Sequence, residues 1–325
     1  MKIRFSLDTC TLNYRSPVSI SGKLIADNQF LHVKMTDPLI KDFYFSVLPG
    51  FHNSLLKEVE YILKSLFNED CILNLSDIQM DKKFFGLLKT DLFISSEVLF
   101  IVETVLLGVI NIKDDTPVKL NDVYSEFNPI EYYQNTKCIK IKINPQAQIS
   151  KTIDLIKNLQ QMNPQMLIRL DGNRKYSVDE LNRLLFELKL HLTIKQFSQI
   201  DYIEEPFTNF YDSLLFEKRS IIPVAIDESF KEYFKFNTTS PLSTSINIIK
   251  PSLYGISPII NWMNSHADLR CIISSTYEHP TVMPSLYYLA RMRPLEYHGL
   301  ENFFNPIIRV YASKFYNLSA TYGLA

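Results

Sequence analysis

The chain has 325 residues, a formal net charge of −1, and 46% hydrophobic against 21% charged residues. Such a make-up belongs to a globular protein with a sizeable core, in one large or two ordinary domains. The near-zero charge argues against a nucleic-acid surface, and the lack of any run of about 18 uninterrupted apolar residues argues against a membrane span.

Residues 1 to about 100 read as an α+β unit. Short strand-like runs at 2–5, Phe30–Val33 and Phe43–Phe45 come first. A helix follows, because Leu55, Leu56, Val59, Ile62, Leu63 and Leu66 recur at spacings of three and four and form one apolar face. A second helix is expected over Ser95–Leu107. From about residue 117 strands and helices alternate. The strand candidates are Val118–Asn121, Cys138–Ile143, Leu167–Asp171, Asp201–Glu204, Val224–Asp227, Ile246–Lys250, Cys271–Ser274 and Leu295–His298, eight in all. Helical stripes fill the gaps. Ile149, Ile153, Ile156 and Leu159 make one, and Leu181, Leu184, Leu185 and Leu188 another, opened by a capping box at Ser177–Glu180. The stripe Tyr287–Met292 is short. Eight strands separated by helices predict a parallel barrel. The competing open sheet has fewer strands and a glycine-rich first turn, and the chain carries no GxGxxG.

Cys10, Cys71, Cys138 and Cys271 are far apart, with no CxxC, and read as reduced thiols of a cytoplasmic protein. The six histidines show no HxxxH spacing, which speaks against a zinc site. The N-terminus has no apolar segment of signal-peptide length.

The middle strands end on charges. Lys142, Asp171, Glu204, Asp227 and Lys250 follow one another at steps of 29, 33, 23 and 23 residues, each about one strand–helix unit. Singly, each is an ordinary cap or turn residue. As an ordered series they converge on the carboxyl-terminal mouth of a parallel barrel. Three carboxylates there would repel one another, and a hard divalent cation relieves that repulsion. Oxygen ligands without histidine favour Mg²⁺. Glu204–Glu205 and Asp227–Glu228 are doublets whose members point to opposite faces, so spacing leaves open which one faces the mouth. Lys140 and Lys142 share a face, with Ile139, Ile141 and Ile143 on the other. Two ammonium groups beside a metal are expected to lower each other's pKa, so that one lysine serves as a general base.

The segments "KIK" at 140–142, "RLDGNR" at 169–174, "IEEP" at 203–206, "IDES" at 226–229 and "IIKPS" at 248–252 resemble the enolase superfamily, muconate-lactonising subgroup, and within it the o-succinylbenzoate synthase family. The resemblance implies a modified (β/α)7β TIM-like barrel over 106–309 and an α+β capping domain from 1–105 with a contribution from 310–325. It implies Asp171, Glu204 and Asp227 as ligands of Mg²⁺, with Mn²⁺ as a substitute, Lys142 as general base and later acid, and Lys250 as the cation opposite it. The implied reaction is dehydration of a cyclohexadiene carboxylate, so the expected partner is a small-molecule carboxylate. Lys140, Arg169, Asn173, Ser274 and Gly299 correspond to substrate-side positions. "LPGF" at 48–51 resembles a cap loop, although Phe43–Tyr44 replaces the usual Gly-Glu ahead of it and the segment 14–30 is short. Racemases and epimerases of the same superfamily are the rival activity. Ser274–Pro280 lacks the Asp-x-Asp of the epimerases.

Overall fold

The computed structural model describes residues 4–20, 23–37, 40–48, 52–66, 95–110, 116–231 and 244–300. Cys71, the 49–51 part of the cap loop and the 310–325 segment lie outside the described residues.

The cap begins with an antiparallel sheet of β1 (Arg4–Ile20), β2 (Lys23–Asp37) and β3 (Lys41–Ser46) in that order. The first two strands are far longer than the short apolar runs predicted. Pairing with the next strand, such as Cys10 opposite Phe30, extends them through polar stretches that carry no period-two signal. Two helices pack on the sheet, α1 (Leu56–Leu66) and α2 (Ser96–Ile110). Leu31, Val33, Phe43 and Phe45 from the sheet and Val59, Leu63, Ile101 and Val105 from the helices are buried together. The same cluster continues into the barrel through Phe230, Ile249, Ile259 and Leu286, so cap and barrel share one core.

The barrel is a parallel sheet in sequential order. Its strands are β4 (Asp122–Val123), β5 (Cys138–Lys142), β6 (Leu167–Asp171), β7 (Ile200–Glu204), β8 (Val224–Ile226), β9 (Ile246–Ile249) and β10 (Arg270–Ile273). Between them run α3 (Ile149–Met162), α4 (Val178–His191), α5 (Ile194–Ser198), α6 (Phe210–Glu217), α7 (Ile256–Ser265) and α8 (Met283–Arg291). The Ser177–Glu180 capping box opens α4 as predicted. A second box, Thr193 with Gln196, opens α5. Strand parity sorts the side chains. Ile139, Ile141, Ile168 and Leu170 face Ile153, Ile156, Leu181 and Leu184 of the helices, each such burial contributing roughly 1.5–3 kcal/mol. Tyr202, Ala225, Ile246, Ile248 and Ile272 fill the interior.

The eighth strand differs from the prediction. Leu295 and Glu296 lie in turns, and only His298 and Gly299 pair, with Leu120 and Ser274. These two bridges join the sheet's first and last strands and close the barrel. His298 fixes the seam. Its Nδ1 accepts the Ile273 N–H at 3.0 Å, and its Nε2 lies 3.1 Å from the Arg293 carbonyl, which assigns the hydrogen to Nε2.

Burial holds the His298 ring down to about pKa 4, against about 6.5 in an unfolded chain. Above pH 6.5 the ring is neutral in both states and has no effect. Below it the unfolded chain takes up a proton that the folded chain refuses, so stability falls as pH falls toward 4, by about 3 kcal/mol in total. Urea unfolding at pH 7 and pH 5 should show a drop about 2 kcal/mol smaller in His298→Asn than in the parent. Equal drops would remove His298 as the source.

Candidate active site

Parallel register builds the site. Lys142 pairs with Asp171, and Asp171 with Glu204, so three charges stand in one row at the carboxyl ends of β5, β6 and β7. Asp227 and Lys250 follow β8 and β9 directly. Asp171, Glu204, Asp227 and Lys250 are all less than 10% exposed. Lys142 ends its strand in solvent. Strands β5 and β9 are four apart in a ring of eight positions, so Lys142 and Lys250 face each other across the mouth.

The buried charges are matched. Lys140 Nζ lies 3.0 Å from Glu204 Oε1 and 3.3 Å from Asp171 Oδ2. Lys250 Nζ lies 2.5 Å from Asp227 Oδ2 and 3.7 Å from Glu228. Burial pushes the Glu204 carboxyl up against the pull of Lys140. Burial and then Glu228 push the Asp227 carboxyl well up against Lys250. Burial alone would lower Lys140, but Glu204 and Asp171 hold it well above the ordinary lysine range. The nearest neighbours of Lys140 are thus carboxylates rather than a second ammonium.

The doublets resolve by parity. Glu204 faces the mouth, whereas Glu205 faces away and ties three loops together. Its carboxylate accepts the Asp227 N–H at 2.6 Å, the Arg174 Nε–H at 2.8 Å, and the N–H and hydroxyl of Ser229. Sequence reasoning took Glu205 only as an alternative ligand, since a loop-organising role leaves no spacing signal. Gly172 is required by close approach, as an added Cβ would sit 2.8 Å from the Pro206 Cα. Asn173 has φ 47° and gives its backbone N–H to Asp171 Oδ1 at 3.1 Å, which orients that carboxylate.

Two substrate-side expectations fare differently. Ser274 and Gly299 are brought together at the barrel seam, with Ser274 Oγ 3.4 Å from the Gly299 carbonyl. Arg169 is not brought to the mouth. It is fully buried, and its guanidinium bonds Asp201, Asn121 and the Tyr297 carbonyl at 2.7–3.0 Å and lies over the Tyr202 ring. These partners stand at the amino-terminal ends of the strands, so Arg169 braces the floor. The expectation that it lies on the substrate side comes from the family resemblance of the 169–174 segment alone.

Whether a hard divalent cation suits this site turns on the donors. Asp171, Glu204 and Asp227 offer only oxygen, and Asp227 Oδ1 is buried with no hydrogen-bond partner, an acceptor left for a cation. The residues fit such an ion chemically. Among the described residues no three acidic, histidine or cysteine side chains are drawn together as a ready ligand set.

No family model matches the sequence. A curated protein, the o-succinylbenzoate synthase of Aliivibrio fischeri (strain MJ11), is 26% identical over 186 residues. The match covers 56% of this chain and 52% of that protein, so the chain spans about half the length of the curated relative it matches. Among solved structures, an o-succinylbenzoate synthase from Thermosynechococcus elongatus BP-1, complexed with Mg in its active site, superposes with TM-score 0.69 at 13% identity, over 97% of this chain and 99% of that one. The chain thus has the fold of the enolase-superfamily structures. The L-Ala-D/L-Glu epimerase of Bacillus subtilis shares that enolase-superfamily fold with TM-score 0.66 at 16% identity, over 93% and 90% of the two chains. Among the described residues no helix is long and apolar enough to cross a membrane.

Breaking a buried, multiply bonded carboxylate is costly, so Glu205→Ala should lose about 3 kcal/mol in urea unfolding. Glu228→Ala, at a side chain 43% exposed, should stay within about 0.5 kcal/mol of the parent. Comparable losses at the two positions would refute the division of roles.

Proposed function

We propose that the chain is an o-succinylbenzoate synthase, a hydro-lyase that converts 2-succinyl-6-hydroxy-2,4-cyclohexadiene-1-carboxylate (SHCHC) to 2-succinylbenzoate by syn-dehydration, as in menaquinone biosynthesis. The observation that carries this reading is the row of three buried carboxylates with a solvent-facing lysine on one flank and a buried lysine on the other. The curated relative of that name supports it.

Asp171, Glu204 and Asp227 would hold Mg²⁺ or Mn²⁺, which when bound supplies positive charge for a carboxylate that gains electrons. Lys142, as the free amine, takes the proton α to the substrate carboxylate. The ammonium so formed gives that proton to the departing hydroxide on the same face, and water leaves. Lys250 stands across the mouth and balances the charge of the enolate intermediate. Lys140 stays between Glu204 and Asp171 and limits their mutual repulsion. Ser274 and Gly299, side by side at the seam, would bind the succinyl carboxylate, and Asn173 would flank the ring at the exposed rim. Arg169 acts from below by bracing the strands.

A second reading is an N-acylamino-acid racemase or dipeptide epimerase. Lysines on opposite sides of one substrate suit proton exchange on both faces, and the epimerase from Bacillus subtilis has nearly the same structural similarity. The two readings part in one assay: SHCHC turnover in Mg²⁺ and in EDTA, beside a panel of N-succinylamino acids and dipeptides. Turnover of SHCHC in Mg²⁺ that EDTA abolishes is expected. Its absence in Mg²⁺, with racemisation of the panel, would overturn the dehydratase.

Lys142→Ala should lower kcat by about 10³-fold; wild-type turnover would displace Lys142 as the base. Lys250→Ala should still bind Mg²⁺ in calorimetry yet lose most of its rate, and unchanged kinetics would rule out its electrostatic role.

A further inference from the structure

Cap and barrel enclose a small space that the proposed chemistry does not use. His52, Glu97 and Phe45 line it from the cap, and Ser252, Glu278 and Val282 from the barrel. It has room for about one water molecule. Glu278 is 6% exposed. Its carboxylate accepts the Thr276 N–H and is also met by the Ser252 and Thr276 hydroxyls, while Oε1 is buried with no well-formed hydrogen bond of its own. A buried carboxylate oxygen left bare is strongly unfavourable.

The facing groups complement it. His52 Nδ1 accepts the Leu48 N–H at 2.9 Å, so the neutral ring carries its hydrogen on Nε2. Glu97 accepts the Asn53 N–H at 2.8 Å and the Ser54 hydroxyl at 3.1 Å, which anchors the start of α1. Ser252 gives its hydroxyl to Thr276 at 3.2 Å. The barrel wall of the space is thus a linked chain, Glu278–Thr276–Ser252, that joins the loops following β9 and β10. Ser252 lies two residues beyond Lys250, and Thr276 two beyond Ser274.

We propose that this space is a binding site for one small hydrogen-bond donor, a structural water, that donates to Glu278 Oε1 and bonds the His52–Glu97 side, and so fastens the cap to the loops that carry Lys250 and Ser274. The assignment does not depend on which reaction the site performs. An ammonium ion has the same size and donor chemistry, and the test separates the two.

A crystal structure of the full chain at about 1.5 Å should show a density peak within hydrogen-bond distance (about 3 Å) of Glu278 Oε1. The peak should persist after exhaustive dialysis into ammonium-free buffer, and its loss there would replace water by ammonium. Glu278→Gln, which keeps an acceptor, should retain the peak and melt within about 2 °C of the parent, roughly half a kilocalorie's effect for a chain of this size. Glu278→Met removes the acceptor and fills the space. It should abolish the peak and lower Tm by several degrees. Combined with His52→Phe, it should lower Tm by clearly less than the sum of the two single changes, because either one already breaks the bridge. An empty space in the parent, or additive Tm shifts, would overturn the proposal. If Glu278→Met does not fold, the parent and Glu278→Gln densities decide alone.

Discussion

Three carboxylates buried at one end of a cylinder repel one another, and this repulsion sets the terms for the rest of the structure. It is met from within the same sheet. Lys140 stands two residues before the end of its strand and reaches Glu204 and Asp171 on the next two strands, and Lys250 reaches back to Asp227. Each ammonium is useful only because parallel pairing brings the strand ends level. A one-residue slip of any strand would turn its charge outward into the helices and leave the partners bare. The barrel must therefore close in register, which gives the short seam at His298 and Gly299 an importance beyond its length.

The loops beside those charges carry the backbone strain. The non-glycine residues with positive φ among the described residues are Asn173, Arg174, Glu205 and Tyr277, all in loops that follow barrel strands. Such conformations persist only where the surroundings hold them, at on the order of 1–3 kcal/mol each. Here the turn after β6 packs its glycine on Pro206 and is bonded by Arg174 to Glu205. Inward Glu204 and outward Glu205 are one device: the first shapes the charge of the mouth, the second fixes the loop that places Asp227.

The cap is not a separate body set on the barrel. Its helices share a core with α7 and α8, and Glu103 of α2 accepts the first backbone N–H groups of α7, where a carboxylate also favours the helix dipole. Tyr44 gives its N–H to Thr281 and its ring lies 4.7 Å from His279. Within this enolase-superfamily fold, cap and barrel therefore meet through packed aromatic and buried polar groups around the loop after β10.

Much of this was legible in the amino-acid sequence. The alternation of strands and helices, the inward face of Lys140 and the ordered series from Lys142 to Lys250 follow from side-chain period and spacing alone, because those are local properties of a chain. The long cap strands were not legible, since their polar stretches become strands only through pairing with a neighbour. The last barrel strand was misplaced by a few residues because two isolated bridges have no hydrophobic pattern to announce them. Which glutamate of the 204–205 pair faces the mouth, and that Arg169 braces the floor, were decided by tertiary structure. Both depend on what stands across a sheet or a cylinder, at a distance along the chain where sequence spacing carries no direction.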